Sequence, residues 1–209
     1  MEANQSERRL LSPAFTRALE YAAELHADHE RKGPSGIPYL GHLLGVASLV
    51  LEHGGTETQA IAALLHDALE DRPHDGRTER EIGERFGPEV LRMVQACTDS
   101  TGPDDPRDAS TWHARKQRYV GHVAQMPDDA ALVSLADKLH NARKIVLDLR
   151  EVGESVWARF KVGKGDTLWY YDALAKAFRA RLPGNVLAEE LESTVREMRT
   201  LGGRTADSI

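Results

Sequence analysis

The chain has 209 residues, 41% hydrophobic and 29% charged, with a formal net charge of −6. This balance is typical of a globular protein and excludes an intrinsically disordered one. The acidic excess argues against nucleic-acid binding, which needs a basic surface. No apolar run approaches the roughly 20 residues of a membrane span, and the first residues lack the apolar part of a secretion signal. We therefore expect a cytoplasmic protein that binds neither nucleic acid nor membrane.

The single cysteine, Cys97, excludes an internal disulfide and a cysteine-rich zinc site. It continues the apolar pattern formed by Val90, Leu91, Met93 and Val94. We expect it to be buried and chemically inert.

The pattern predicts helices nearly throughout. Ser12 before Pro13 is typical of a helix start, and Thr78 with Glu81 predicts a capping box. The predicted helices span residues 13–29, 39–52, 57–70, 78–86, 87–97, 110–125, 128–149, 154–160, 166–182 and 184–200. We therefore predict an all-α fold with a single domain of about eight to ten helices. This domain covers residues 13–200, between an N-terminal extension (1–12) and a flexible tail (201–209).

The segment Ile61–Asp71 ends an apolar run with one imidazole and three carboxylates. On a helix that continues through Glu70, residues three and four apart share a face. His66 would then lie over Glu70, and Asp67 over Asp71. A buried charge is costly unless it is paired or binds a metal, and nitrogen and oxygen donors together favour a divalent cation. A polar last turn with caps and solvent pairs is the structural alternative.

Three other segments interrupt helical patterns with polar groups. His42 lies among apolar residues, Asp137 shares a helix face with His140 and Asn141, and the basic pair Arg31–Lys32 opens a turn-rich loop. Each segment alone also fits a structural interpretation. These are a buried core histidine, a hydrogen-bonded helix face and a solvated charge pair, respectively.

The order of these motifs resembles the HD phosphohydrolase superfamily. The detail is similar to its alarmone-hydrolase branch, which comprises the hydrolase domain of RelA/SpoT proteins and the stand-alone small alarmone hydrolases, including the metazoan SpoT homologue. The resemblance covers about residues 14–180 and is carried by Arg31-Lys32-Gly33, Pro38-Tyr39-Leu40-Gly41-His42, residues 62–71, Ile82 with residues 86–90, and residues 136–141. Two features depart from the family pattern. Leu43 replaces the usual proline after the first histidine, and the loop between Lys32 and Pro38 is longer than usual.

The resemblance implies a site that holds one metal ion, Mn²⁺ in this family. Its ligands would be His42, His66, Asp67 and Asp137. Glu70 and Asp71 would position and activate the attacking water. The substrate would be a phosphorylated nucleotide, from which the family removes the 3′-pyrophosphate of guanosine tetra- or pentaphosphate in one hydrolytic step. Its contacts would come from Arg31, Lys32 and Asn141, and Arg143 is a further candidate for a phosphate contact.

The chemistry of these residue types agrees with that implication. A bound metal lowers the pKa of water from about 15.7 towards 7 and polarises a phosphoryl oxygen. Carboxylates accept the proton, and basic residues neutralise the charge that develops on phosphoryl oxygens. The sequence thus predicts a metal-dependent hydrolase of guanine or adenine alarmones, as a monomer or a homo-oligomer. Two alternatives stay open: an HD phosphohydrolase acting on another phosphorylated nucleotide or dinucleotide, and an HD scaffold that binds an alarmone without turnover.

Overall fold

The structure, a computed structural model, describes residues 10–31, 33, 36–70, 76–99 and 109–203. Within these residues, helices account for the regular structure, and strand-like pairing is limited to one bridge between Glu30 and Pro38. The helices are α1 (Pro13–Leu25), α2 (Leu40–Glu52), α3 (Glu57–Leu65), α4 (Arg77–Phe86), α5 (Pro88–Cys97), α6 (Ala109–Val123), α7 (Asp128–Val152), α8 (Gly163–Arg181) and α9 (Val186–Gly202), with a 3₁₀ segment at Gly153–Arg159. The predicted all-α fold is confirmed.

Helix α7 is the central element, because it packs against α2, α3, α5 and α9. Ala131, Leu135, Leu139 and Ala142 recur every three or four residues along it and are fully buried. Asp137 lies within this segment and is therefore held inside the protein, where it is 4% exposed. Helices α2 and α3 pack against each other and against α7. This arrangement brings three separate sequence motifs to one place.

The third predicted helix ends five residues early, at Leu65. Residues 66–70 form turns, in which the carbonyls of Leu65 and Asp67 accept backbone hydrogen bonds three residues later, at 2.9 and 3.0 Å. The prediction that His66 lies over Glu70 on a continuous α-helix is therefore wrong, because i→i+3 bonding tightens the chain here. Asp71 lies outside the described residues.

Two other local predictions also differ from the structure. The first helix ends at Leu25 instead of residue 29. The predicted capping box at Thr78 is absent from the described contacts, because α4 begins at Arg77 and the carboxylate of Glu81 is used elsewhere. That carboxylate accepts hydrogen bonds from Arg77 Nε and from the Tyr21 hydroxyl, each at 2.9 Å.

Ser12 does cap α1, since its Oγ accepts the N–H of Ala14 at 3.1 Å. Cys97 is buried as predicted, and burial raises the pKa of its thiol.

Among the described helices, none combines the length and apolarity that a bilayer crossing requires. The last helix continues to Gly202, and residues 1–9 and 204–209 lie outside the described residues.

Candidate metal centre

Helices α2 and α7 and the turn after α3 bring the four predicted ligands together. His66 Nε2 lies 3.0 Å from Asp67 Oδ2 and 3.5 Å from Asp137 Oδ1. His42 Nε2 lies 3.2 Å from Asp137 Oδ1 and 3.6 Å from Asp67 Oδ2. Ligand atoms of His42, His66 and Asp67 all lie within 4.8 Å of one another. Asp137 lies outside that group of three, but its Oδ1 is within 3.5 Å of both imidazole nitrogens.

Both imidazoles turn Nε2 towards these carboxylates. His42 and His66 are each 1% exposed. Their Nε2 atoms lie at ion-pair distance from the Asp67 and Asp137 oxygens, but none of these contacts has hydrogen-bond geometry among the described residues. The Nδ1 atom of His66 lies 2.8 Å from the carbonyl of Ala63, so Nδ1 carries the proton and donates it. A buried polar atom without a well-directed hydrogen bond is costly. A divalent cation would accept the lone pairs of both Nε2 atoms and pair with both carboxylates, and the cluster therefore fits a metal site.

The charges of the cluster stabilise ionised carboxylates. Burial raises the pKa of Asp67 and Asp137, but His66 next to Asp67 and Lys138 next to Asp137 outweigh it. Both pKa values therefore lie well below their usual range. Burial lowers the pKa of His66, but Asp67 and Asp137 outweigh it and hold this pKa well above its ordinary value. Without a cation, a proton on His66 balances the carboxylates, and a cation has to displace it.

Hydrogen bonds from other side chains orient both carboxylates. The Tyr39 hydroxyl donates to Asp67 Oδ2 at 2.5 Å. Lys138 Nζ donates to Asp137 Oδ2, and Asn141 Nδ2 donates to Asp137 Oδ1, each at 2.6 Å. Such contacts behind a ligand fix its direction and tune its affinity for metal.

Glu70 lies three residues after Asp67 and contacts a buried ionic network. Its Oε1 accepts the backbone N–H of Asp99 at 2.8 Å. The carboxylate of Asp99 is paired with Lys116 and, at 3.3 Å, with Arg115. Burial raises the pKa of Asp99, but the lysines around it outweigh this and lower the pKa overall. The hydrogen bond from the Asp99 N–H joins the Glu70 carboxylate to the chain segment that carries the ion pairs of Asp99.

The loop that carries Arg31 is closed at its base. The N–H of Arg31 donates to the carbonyl of Ile37, and that of Tyr39 donates to the carbonyl of His29, both at 2.9 Å. The Arg31 guanidinium consequently lies 5.8 Å from the centre of the Tyr39 ring, within the range of a cation–π contact. Despite the length of the loop, its two ends place Arg31 at the edge of the cluster.

The predicted substrate-binding residues are engaged with partners in the chain. Arg31 donates to Asn141 Oδ1 at 3.0 Å, and Asn141 in turn donates to Asp137. Arg143 pairs with Glu190 of α9, with Nε 2.8 Å from Oε1. Lys32 lies outside the described residues. The structure thus joins Arg31 and Asn141 to the cluster, whereas Arg143 lies in the contact between α7 and α9.

Several residues that support the site had no role predicted from the sequence. Tyr39, Lys138 and His140 were marked only as members of motifs or of a helix face. For Lys138 and His140 a signal was present, since they flank Asp137 within a buried helix. Asp99 and Lys116 had no such signal, because their pairing joins the end of α5 to α6.

Known proteins match this chain over most of its length. Residues 18–165 match the HD domain family. The guanosine-3′,5′-bis(diphosphate) 3′-pyrophosphohydrolase MESH1 of Xenopus tropicalis is 36% identical over 148 residues, covering 69% of this chain and 74% of that protein. The human MESH1 protein is 34% identical over 148 residues, with the same coverage.

A solved structure gives the same fold. It is a metazoan SpoT ortholog described as hydrolysing ppGpp. It matches with a TM-score of 0.66 and 24% identity, and the match covers 92% of this chain and 97% of the other. The matched range, residues 18–165, spans the positions of His42, His66, Asp67 and Asp137. This chain therefore belongs to the HD domain family, together with the MESH1 proteins.

Proposed function

We propose that the protein is a metal-dependent pyrophosphohydrolase of (p)ppGpp-like alarmones. It would remove the 3′-pyrophosphate and release GDP or GTP, or their adenine equivalents, in the cytoplasm. The observation that carries this proposal is the convergence of the buried Nε2 atoms of His42 and His66 on two ionised carboxylates, at distances of 3.0–3.6 Å. The names of the MESH1 relatives supply the substrate class.

We assign His42, His66, Asp67 and Asp137 as the ligands and Mn²⁺ as the cation. Two nitrogens and two carboxylates suit a borderline-hard divalent ion, and the described cluster includes no thiolate of the kind that favours structural zinc. When bound, the cation would lower the pKa of a water molecule and place a positive charge beside the phosphoryl oxygens.

Glu70 is the proposed proton acceptor, together with Asp71. The hydrogen bond from the Asp99 backbone holds the Glu70 carboxylate in one orientation, as proton transfer requires. The water oxygen forms a bond to the phosphorus attached to the 3′ oxygen, and a proton from the water passes to the carboxylate. The bond between that phosphorus and the 3′ oxygen breaks. The oxygen leaves on the nucleoside with the bonding electron pair and takes up a proton from solvent, which gives the 3′ hydroxyl.

Arg31, Lys32, Asn141 and Arg143 are the proposed substrate contacts. Arg31 is supported by its position beside Tyr39 and Asn141, which both contact metal-ligand carboxylates. Arg143 would have to exchange Glu190 for a phosphate. Both partners are more than a third exposed, and such a pair contributes about 0–1 kcal/mol. Breaking the pair with Glu190 would therefore cost little free energy.

A substrate panel tests the proposal and separates it from its alternatives. The metal-stripped chain is supplied with Mn²⁺ and given guanine alarmones, adenine alarmones, and other phosphorylated nucleotides and dinucleotides. Pyrophosphate and orthophosphate are measured separately. We expect pyrophosphate from the 3′-pyrophosphorylated nucleotides. Orthophosphate from a different nucleotide would support another HD phosphohydrolase, and tight alarmone binding without turnover would support a binding module.

A further inference from the structure

We propose that His140 holds His42 in the tautomer that binds the cation, and that Gly45 gives His140 the space to do so. This inference rests on the metal site of the proposed function but concerns the affinity of that site, whatever the substrate. It assigns a positioning role to one residue of α7 and one of α2.

The contact between the two rings requires one proton. His42 Nδ1 lies 2.9 Å from His140 Nδ1, so one nitrogen donates and the other accepts. A cation at His42 Nε2 needs the lone pair there, which places the proton of the neutral ring on Nδ1. His140 must then accept at its own Nδ1. It supports His42 only as a neutral ring protonated at Nε2.

The two histidine ligands differ in how their tautomers are set. His66 Nδ1 faces the backbone carbonyl of Ala63, which can only accept a hydrogen bond. The tautomer of His66 is therefore fixed by the backbone. His42 Nδ1 faces another imidazole, which donates or accepts according to its own tautomer. The choice at His42 therefore depends on His140.

Gly45 makes the approach of His140 to His42 sterically feasible. A Cβ at position 45 would lie 2.2 Å from His140 Nε2 and 2.5 Å from its Cδ2. Any larger residue would therefore push the ring away from His42. Glycine inside a helix costs roughly 1 kcal/mol relative to alanine, so its position in α2 has a packing reason. At Gly41 in the same helix, a Cβ would meet nothing within 4 Å.

Helix α7 consequently contributes to the centre twice. Asp137, which contacts His42 Nε2, would be a ligand of the cation, and His140, three residues later on the helix, would orient His42 from α2. Displacing His140 would leave all four ligands in the chain but would remove the acceptor that selects the tautomer of His42.

The test measures Mn²⁺ affinity of the full chain by competition with a chelator. We expect His140→Leu and Gly45→Ala to weaken binding by about 10- to 100-fold, the usual cost of losing a contact behind a metal ligand. His140→Asn should stay within a few-fold of wild type, because its amide oxygen places an acceptor near the position of Nδ1. Gly41→Ala is the matched control on the same helix and should bind as wild type does.

A second measurement reads the tautomer directly. In long-range ¹H–¹⁵N spectra of the chain loaded with diamagnetic Zn²⁺, His42 should be protonated at Nδ1 and metal-bound at Nε2. The loss of this signature in Gly45→Ala, with the same thermal unfolding as Gly41→Ala, would support the proposal. Wild-type affinity in folded Gly45→Ala, or an unprotonated His42 Nδ1 in the loaded wild type, would overturn it. An absence of alarmone hydrolysis alongside the expected affinities would instead refute the proposed function alone.

Discussion

The two halves of the candidate site are built differently. In the cation half, which comprises the proposed ligands His42, His66, Asp67 and Asp137, the facing nitrogen and oxygen atoms are 3.0–3.6 Å apart, and both histidines are buried. In the substrate half, Arg31 and Arg143 are only partly buried and contact Asn141 and Glu190 of their own chain. The arrangement of the cation half is already formed without substrate. In the substrate half, Arg31 and Arg143 would have to exchange Asn141 and Glu190 for groups of the substrate. Changes in the first half should therefore affect cation binding and chemistry, and changes in the second should affect mainly KM.

The largest effect is expected from Asp67→Asn, which keeps the shape of the side chain but removes its charge. Pyrophosphate release should fall by about 1,000-fold or more, because the cation and its effect on water are lost together. Mn²⁺ binding should weaken in parallel, as a chelator competition would measure. Asp128→Asn, an exposed change on α7, is the control and should leave both quantities unchanged.

Glu70→Gln should separate proton transfer from cation binding. We expect kcat to fall by about 10²- to 10⁴-fold, the usual contribution of a general base. Mn²⁺ affinity should stay at the wild-type value, because Glu70 is not among the four proposed ligands. Single-turnover kinetics and a metal titration on the same preparation would measure both. A parallel loss of affinity would make Glu70 a ligand and contradict this division.

The pH dependence of cation binding probes the charge balance of the buried half. Because the pKa of His66 lies well above its ordinary value, the metal-free protein carries a proton there at neutral pH, and the cation displaces it. Affinity should therefore fall as the pH decreases, by up to about tenfold per pH unit. Calorimetry in buffers of different ionisation enthalpy would count the proton released. Binding that is independent of pH between about 6 and 8 would contradict this expectation.

The smallest effects are expected in the substrate half. Arg31→Met should raise KM about tenfold, in line with the loss of one hydrogen bond to a charged group. Arg143→Met should raise KM less, and neither change should alter Mn²⁺ affinity. Arg150→Met is the matched control, because Arg150 forms a similar α7–α9 pair with Glu197. A fall in kcat at unchanged KM for Arg31→Met would contradict the comparison.

The helices could be predicted because they have a local signal in the sequence. Local patterns also marked the polar residues of the cluster, but only the resemblance to the HD phosphohydrolases joined the four of them into one site. Helices repeat their apolar positions every three or four residues, and polar residues such as His66 and Asp137 stand out within such runs. The sequence did not predict that α3 ends at Leu65, since the turn bonds that follow it do not depend on an obvious breaker residue. Periodicity continued through Glu70 and favoured a longer helix.

Supporting contacts could not be predicted because they join distant parts of the chain. Tyr39 donates to Asp67 across 28 residues, and His42 meets His140 across 98. Only the packing of α2 and α3 against α7 brings these partners together. The role of Gly45 likewise becomes visible only when α7 is in place, because the atom that would clash with its Cβ belongs to His140.

A titration of the metal-stripped chain with Mn²⁺, using guanosine tetraphosphate as substrate, tests the central claim most directly. We predict no release of pyrophosphate without the cation, then a rise that saturates at one Mn²⁺ per chain. Pyrophosphate and GDP should appear in equal amounts, and Asp67→Asn should abolish the rise. Undiminished hydrolysis in the presence of chelator, or orthophosphate as the product, would contradict a single buried cation centre for pyrophosphate removal.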